Sequence, residues 1–119
     1  MRKIETHKVN ELNEALTITA VGAPGAGGAN HHYTITLGDQ SVRWYIDFQD
    51  GPIKEAGPNG LTHEALIAIV IDRLRSFQAG PFSSRENAIA LTKLEEATHW
   101  LHHRTRDRML RGVEGTTSM

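Results

Sequence analysis

The spacing of hydrophobic residues changes from a period of two to a helical period near the middle of the chain. In the first half, three short segments alternate apolar with polar residues and are rich in β-branched and aromatic side chains: Ala15–Val21, His32–Leu37 and Val42–Phe48. This pattern is typical of half-buried strands. The Gly-Asp-Gln connection at 38–40 has the length of a β-hairpin turn. We therefore predict a small antiparallel meander, which needs another element packed on one face.

The second half begins with a loop and continues as a first helix. Residues 50–60 contain two Gly-Pro dipeptides and one Asn-Gly, a composition typical of a linking loop. Apolar residues then recur at helical spacing over Leu66–Phe77, with Thr62 as the predicted N-cap. Gly80 and Pro81 end this helix.

A second and longer helix is predicted from Ser83 to Gly112. Ser83 and Glu86 have the spacing of a capping box, and no helix breaker follows until Gly112, the predicted C′ glycine. Its roughly 28 residues span roughly 42 Å, against roughly 27 Å for the first helix. Because the connection is short, the two helices are expected to form an antiparallel hairpin, with the second projecting about ten residues beyond the first.

The predicted fold class is therefore α+β, with a small N-terminal antiparallel β-meander followed by a long antiparallel two-helix hairpin. The length favours one domain over residues 1–119. Within it we distinguish a β-rich segment at 1–60, the hairpin at 61–112 and a tail at 113–119.

Charge and composition narrow the classes of function. The formal net charge of -1 argues against a protein that coats nucleic acid non-specifically, because such binding needs a basic excess. The chain has no cysteine, which fits a reducing cytosol, and its longest apolar run, Ala65–Ile71, is too short to span a membrane. No apolar leader follows Met1, so a soluble intracellular protein is expected. With only 39% hydrophobic residues, self-association is also expected.

Near the end of the second helix, arginines occupy positions that continue its apolar face. Two rows of residues spaced by seven end in arginines: Asn87, Leu94, Leu101 and Arg108, and Ala90, Ala97, Arg104 and Arg111. Asn87 is a polar residue at the start of its row, and leucine or alanine occupies the positions between. Solvated arginines at a helix C-terminus also complement the macrodipole, and this interpretation stays open, above all for Arg106 and Arg111. Arg104 and Arg108 are one turn apart on the predicted overhang, where paired guanidinium groups suit bidentate contact with phosphate oxygens.

Aromatic residues mark the opposite end of the hairpin. Phe77 and Phe82 flank the turn, where they either close the core or offer a face to a nucleobase, a contact worth about 1–3 kcal/mol. These aromatics and Asn87 lie too far along the helix from the paired arginines to meet them within one chain. An antiparallel dimer would bring the two sets together. A site that combines them is therefore predicted at a subunit interface.

The glycine-rich stretch Gly22–Gly28, with the sequence GAPGAGG, does not predict a phosphate-binding loop. No Lys-Ser or Lys-Thr pair follows it, and the next segment is a predicted strand rather than a helix. We interpret the stretch as a flexible hairpin loop or a lid.

Histidines on the second helix have spacings that suit a metal ion. His99 and His103 are one turn apart, and Glu96 with His99 forms a Glu-x-x-His pair, but no third ligand follows at a convincing spacing. Exposed helix histidines are the favoured interpretation, and an enzyme is disfavoured. Two alternatives stay open: an adaptor whose arginine face docks a protein or nucleic acid, and a small metal-dependent phosphodiesterase that uses His99, His102 or His103.

The helical half also resembles a known family. The similarity extends over Thr62–Thr116 and is strongest in SRENAIALTKLEEATHWL at 84–101 and RGVEGT at 111–116. These segments resemble the helical hairpin of phage and prophage anti-defence proteins, the sponges that sequester cyclic-nucleotide signals of the Thoeris and CBASS immune systems. The β-rich segment before the hairpin resembles the anti-Thoeris branch rather than the all-helical anti-CBASS branch.

The resemblance implies sequestration without chemistry in the cytoplasm of an infected bacterium. In the family, glycocyclic ADP-ribose is buried at a dimer interface, with no metal required. The matching positions here are Phe77 for stacking on adenine, Arg104 and Arg108 for the diphosphate, and Asn87 for a directional hydrogen bond. Some relatives are hexamers that also bind cyclic di- or trinucleotides at separate pockets.

The tail is a further candidate for closing such a site. If it covers a bound ligand, deleting Val113–Met119 should speed ligand release while leaving the dimer intact.

Overall fold

The computed structural model describes residues 1–117 and divides into two compact units. One unit comprises Met1–Pro52 and Ala56–Leu61, and the other comprises Ile53–Glu55 and the chain from Thr62 onward. The first unit holds the strands and the second holds the two long helices. The predicted α+β class, strands first and helical hairpin second, is confirmed.

Within residues 1–117, four antiparallel strands form one sheet in the order β1-β2-β3-β4. Their bounds are Arg2–Ile4 for β1, Leu16–Val21 for β2, His32–Leu37 for β3 and Val42–Asp47 for β4. The meander predicted for the last three strands is confirmed. The prediction of only three strands is wrong, because β1 adds a fourth beside β2. At three residues, two of them exposed and basic, β1 is too short to produce an alternating pattern.

The connection between β2 and β3 is the glycine-rich stretch, so its interpretation as a hairpin loop is confirmed. Asn30 Nδ2 donates to the Gly22 carbonyl oxygen at 3.0 Å, and His31 Nε2 lies 2.9 Å from the Ala26 carbonyl oxygen. Gly27 and Gly28 have positive φ angles, which glycine adopts without steric cost. A one-turn helix, α1 (Glu11–Glu14), precedes β2.

The segment at 50–60 is more structured than the predicted linking loop. It contains a one-turn helix, α2, at Ile53–Ala56. Around this helix, Asn59 exchanges hydrogen bonds with Asp50, donating to its carbonyl oxygen and accepting from its backbone N–H, both at 2.8 Å. Gln49 Nε2 donates to the Gly51 and Gly57 carbonyl oxygens. The sequence showed the turn-forming glycines and prolines but not these side chain–backbone bonds.

The two long helices begin at polar caps. The first, α3, spans His63–Ala79, and Thr62 Oγ1 accepts from the Ala65 N–H at 3.1 Å, so the predicted N-cap is confirmed. The second, α4, spans Arg85–Leu110. Its N-cap is Ser84 rather than the predicted Ser83: Ser84 has an extended backbone, and its Oγ accepts from the Asn87 N–H at 3.1 Å.

Gln78 explains why Ser84 takes the capping position. Its side chain binds the Ser84 backbone on both sides, with Nε2 donating to the carbonyl oxygen at 3.1 Å and Oε1 accepting from the N–H at 3.0 Å. These bonds fix the turn between the helices one residue later than the capping-box spacing indicated. At the other end of α4, Gly112 has φ of +72°, so the predicted C′ glycine is confirmed.

The helices α3 and α4 pack together as a hairpin. Arg75 NH2 lies 2.7 Å from Glu95 Oε2, while Gln78 bonds to Ser84, so positions earlier in α3 face positions later in α4. This is the antiparallel arrangement. With 26 residues against 17, α4 is the longer helix, as predicted. In the described part of the chain, no helix combines the length and the apolar composition needed to cross a membrane.

Candidate ligand-binding site

The turn end of the hairpin carries an aromatic cavity. It has a volume of about 580 Å³ and is lined by the end of α3 and the turn that follows, including Asp72, Arg73, Phe77 and Phe82. Phe77 is half-buried, whereas Phe82 is 73% exposed. The Arg73 guanidinium carbon lies 5.0 Å from the centroid of the Phe77 ring, within the range of a cation–π contact. The sequence left open whether these aromatics close the core or offer a face to a ligand, and the exposure of Phe82 suits the second interpretation.

Asn87 lies near this end, in the first turn of α4. It is half-buried, and its backbone N–H is taken by the Ser84 cap. The residues that line the aromatic cavity run from Ile69 to Phe82, so Asn87 is outside that set. The predicted role of the Asn87 carboxamide as a directional partner for a ligand stays a prediction.

The arginine end of α4 differs from the overhang expected from sequence. Arg104 is exposed, but Arg108 is only 7% exposed and is the buried charged residue of the described chain. Its NH2 donates to the carbonyl oxygens of Val113 and Thr116, at 3.0 and 3.1 Å. Its Nε lies 3.3 Å from Glu114 Oε2. The two guanidinium groups are therefore not an equivalent solvated pair.

The chain after α4 folds back to make these contacts. The Gly112 N–H donates to the Met109 carbonyl oxygen at 3.1 Å and the Val113 N–H donates to the Arg108 carbonyl oxygen at 3.0 Å, the two bonds of a Schellman motif. Residues Val113–Thr116, here called the tail turn, then form a β-turn closed by the Thr116 N–H on the Val113 carbonyl oxygen.

Gly115 fixes the tail turn in place. Its φ of +80° suits the third position of a type II turn, where glycine is favoured. It is buried, and a Cβ at this position would lie 3.0 Å from Ile53 Cγ1 and 3.2 Å from Lys54 Cγ. The Lys54 N–H also donates to the Gly115 carbonyl oxygen at 3.2 Å. Ile53 and Lys54 of α2 thus pack against the tail turn, and the tail turn in turn binds Arg108.

The aromatic and arginine sets do not meet within one chain. Asn87 and Arg104 are separated by about 25 Å along the helix axis, and Asn87 and Arg108 by about 32 Å. The hairpin places Phe77 beside the beginning of α4, at the same end as Asn87. A single site that uses all four residues therefore requires a second copy, in agreement with the sequence analysis. The dimer itself stays a prediction.

Two of the helix histidines, His99 and His103, contact the same indole ring. The rings of His99 and His103 lie edge-to-face against Trp100, with centroids 6.1 and 5.7 Å away. All three residues are exposed. Over residues 1–117, no group of three or more potential ligands is close enough to hold a metal ion.

Two features of the site escaped the sequence analysis. One is Arg73 against the Phe77 ring, and the other is the tail turn around Arg108. The two glycines in the stretch RGVEGT were a signal for the second, because Gly112 and Gly115 both adopt positive φ. No periodicity rule links such a turn to an arginine that precedes it on the helix.

These features define a small α+β protein built around a long helical hairpin, with aromatic groups at one end and a buried arginine at the other. Residues 41–106 match the family model of the Acb2/Tad1 hairpin domain, which covers over half of the chain, and the chain belongs to this family. The resemblance inferred from sequence is confirmed. The match includes Phe77, Asn87 and Arg104 but ends before Arg108 and the tail turn.

A curated relative is similar over much of the chain. The protein named Thoeris anti-defense 1, from Bacillus phage SBSphiJ7, is 58% identical over 71 residues. These residues make up 60% of this chain and 50% of the relative, so the similarity spans about half the length of that protein.

Proposed function

We propose that this protein is a viral anti-defence sponge that binds a cyclic nucleotide immune signal at a subunit interface without cleaving it. Membership of the Acb2/Tad1 hairpin family and the similarity to Thoeris anti-defense 1 support the anti-defence role. They favour a signal of the glycocyclic ADP-ribose class and action in the cytoplasm of an infected bacterium. Dimer or hexamer assembly, and binding of cyclic di- or trinucleotides at separate pockets, belong to the same proposal.

The observation that carries the proposal is the separation of complementary groups along α4. An aromatic cavity stands at one end and cationic groups stand at the other, where Arg104 lies about 25 Å from Asn87 along the helix axis. A ligand with a purine base and a diphosphate needs both kinds of group. Two antiparallel copies would place the aromatic end of each chain against the arginine end of its partner.

Each proposed contact follows from the chemistry of the ligand. The cavity of about 580 Å³ lies in the size range of small-molecule sites. In it, Phe77 would stack on adenine, a contact worth about 1–3 kcal/mol. Arg104 and Arg108 would bind diphosphate oxygens, and Asn87 would form a directional hydrogen bond. No residue is assigned a catalytic role, since a sponge acts by stoichiometric retention.

A retention experiment separates this proposal from its alternatives. The protein is incubated with glycocyclic ADP-ribose, freed of excess ligand and denatured, and the released material is analysed by chromatography. Recovery of intact ligand in proportion to sites is expected. Recovery of cleaved ligand would instead indicate a phosphodiesterase, and absence of ligand would favour an adaptor.

Arg104 is the variant that tests the arginine end most directly. Arg104→Ala removes an exposed side chain, so the fold is expected to persist. The loss of a charge-assisted contact should weaken ligand affinity about tenfold or more in a calorimetric titration. Arg106→Ala, an exposed arginine on the same helix, is the matched control and should bind normally. Equal affinity of the two variants would remove Arg104 from the site.

A mixing experiment tests the interface itself. Phe77→Ala and Arg104→Ala should each strongly reduce retention, and in the proposed site each residue comes from a different copy. In a two-fold dimer, a mixed pair then contains one intact site and one doubly defective site. Unfolding and refolding the two variants together should restore roughly a quarter of the wild-type sites. If each variant alone loses retention and mixing restores none, both residues act within one chain.

A further inference from the structure

In the described part of the chain, Arg108 contacts both neutral and charged acceptors. The carbonyl oxygens of Val113 and Thr116 accept from NH2, and both are neutral. The Glu114 carboxylate faces the Nε edge of the guanidinium and carries a negative charge. Within the described residues, the tail turn thus holds the orientation of the guanidinium through backbone groups and places the Glu114 carboxylate beside its charge.

The carboxylate is not optimally bonded. Glu114 Oε2 is buried and lies 3.3 Å from Arg108 Nε, yet it accepts no aligned hydrogen bond from any residue in the described range 1–117. A buried carboxylate oxygen without a hydrogen bond is costly. Proximity to the Arg108 cation offsets part of this cost and so stabilises the carboxylate in this position.

The two members of the pair also differ in access to solvent. The Glu114 side chain is 38% exposed, whereas that of Arg108 is 9% exposed. Glu114 occupies the second position of the tail turn, so its side chain can rotate outward while the backbone of the turn keeps its shape. The carboxylate is therefore the group that moves when another anion competes for the guanidinium.

We propose that Glu114 is a positioning residue that acts through Arg108, occupying the guanidinium as an internal anion until a phosphate group displaces it. The carboxylate supplies a negative charge beside a buried arginine when no ligand is present. The neutral carbonyl bonds to NH2 keep the guanidinium oriented during the exchange. This inference rests on the proposed function insofar as the displacing phosphate belongs to a nucleotide signal.

The test follows the Arg108 Nε–H signal by ¹⁵N NMR while inorganic pyrophosphate is added. Glu114→Gln keeps the size of the side chain but removes its charge, so less pyrophosphate should be needed to shift the Arg108 signal. Because the competing pair is partly exposed, the midpoint should fall about two- to fivefold. Glu96→Gln makes the same charge change at an exposed site on α4 and should leave the midpoint at the wild-type value.

Two checks keep the result specific. Unchanged hydrogen-exchange protection of the Val113 N–H in Glu114→Gln would show that the tail turn persists, because this N–H donates to the Arg108 carbonyl oxygen. Glu114→Ala should shift the midpoint in the same direction. An equal or higher midpoint in both variants, or an Arg108 signal that pyrophosphate never moves, would overturn the inference.

The retention experiment with glycocyclic ADP-ribose and the pyrophosphate titration have independent outcomes. If the ligand is retained but Glu114→Gln has the wild-type pyrophosphate midpoint, the role of Glu114 is wrong and the sponge proposal stands. If the ligand is not retained but the midpoint falls as expected, the sponge proposal is wrong, while competition between Glu114 and a phosphate for Arg108 stands.

Discussion

The two ends of α4 carry the two halves of the candidate site, and they are built in opposite ways. At the turn end, Ser84 and Gln78 satisfy the backbone, and the aromatic side chains are left to line an open cavity. At the arginine end, the returning tail turn covers Arg108. Similar positions on a heptad seam are therefore not equally accessible to solvent. An apolar surface can stay open at modest cost, whereas a cation drawn from water needs acceptors around it.

The largest expected effect is a loss of stability at the arginine end. Arg108→Ala removes the donors for two tail carbonyl oxygens and the cation beside Glu114, so we expect a loss of about 2–3 kcal/mol in the free energy of unfolding of the helical unit. Urea unfolding followed by circular dichroism at 222 nm measures it. The exposed Arg106→Ala should change the same quantity by less than about 0.5 kcal/mol. Similar curves for both variants would show that the tail turn does not depend on Arg108.

The next prediction compares two glycines at the arginine end and separates the cost of backbone strain from the cost of a steric contact. Gly115→Ala places a Cβ on a residue with φ of +80° and 3.0 Å from Ile53 Cγ1, so a cost of about 2 kcal/mol is expected. Gly112→Ala meets a similar φ, +72°, but no atom within 4 Å, and should cost about 1 kcal/mol. Urea midpoints of the two variants give the difference. Equal costs would argue against packing between the tail turn and α2.

A smaller effect tests the turn end and the corrected cap. Ser84→Ala removes the side-chain acceptor of the Asn87 N–H and should cost about 1 kcal/mol. The neighbouring Ser83→Ala should cost less than about 0.5 kcal/mol, since Ser83 is exposed. Thermal unfolding of the pair ranks them. A larger loss for Ser83→Ala would restore the capping box inferred from sequence.

The smallest effect lies between the two ends, where Arg75 and Glu95 join α3 to α4 at 2.7 Å. Both side chains are largely exposed, so a double-mutant cycle with Arg75→Gln and Glu95→Gln should give a coupling of about 0.5 kcal/mol. The coupling should decrease in 1 M salt because exposed charges are screened. A coupling well above 1 kcal/mol would mean that this pair, rather than the two ends, holds the hairpin together.

The sequence predicted elements that have enough residues to show a period. Strands β2 to β4 and both long helices fall in this group, as does the Thr62 cap, which has a helix-length apolar pattern behind it. Elements of three or four residues, β1, α1 and α2, were missed because they are too short to show a convincing repeat. The choice between Ser83 and Ser84 failed for another reason, since Gln78, six residues away, determines it.

The candidate site was predictable in its spacing but not in its burial. Seven-residue spacing placed Asn87, Arg104 and Arg108 on related positions of one helix, and helix geometry gave their separation. It could not show that Arg108 is covered, because its acceptors are main-chain oxygens of the tail turn. Every residue type carries a main-chain oxygen, so no pattern of side chains in the sequence predicts which oxygens bind Arg108.

Trp100 gives the arginine end an optical probe of its own. It is 67% exposed, lies between the rings of His99 and His103, and is one helical turn before Arg104. Indole emission responds to the polarity and charge of its surroundings, so a ligand bound at Arg104 should alter it without any attached dye. The other tryptophan, Trp44, belongs to β4 in the strand unit. Trp44→Phe would therefore leave a protein whose tryptophan fluorescence, excited selectively over tyrosine, reports on α4 alone.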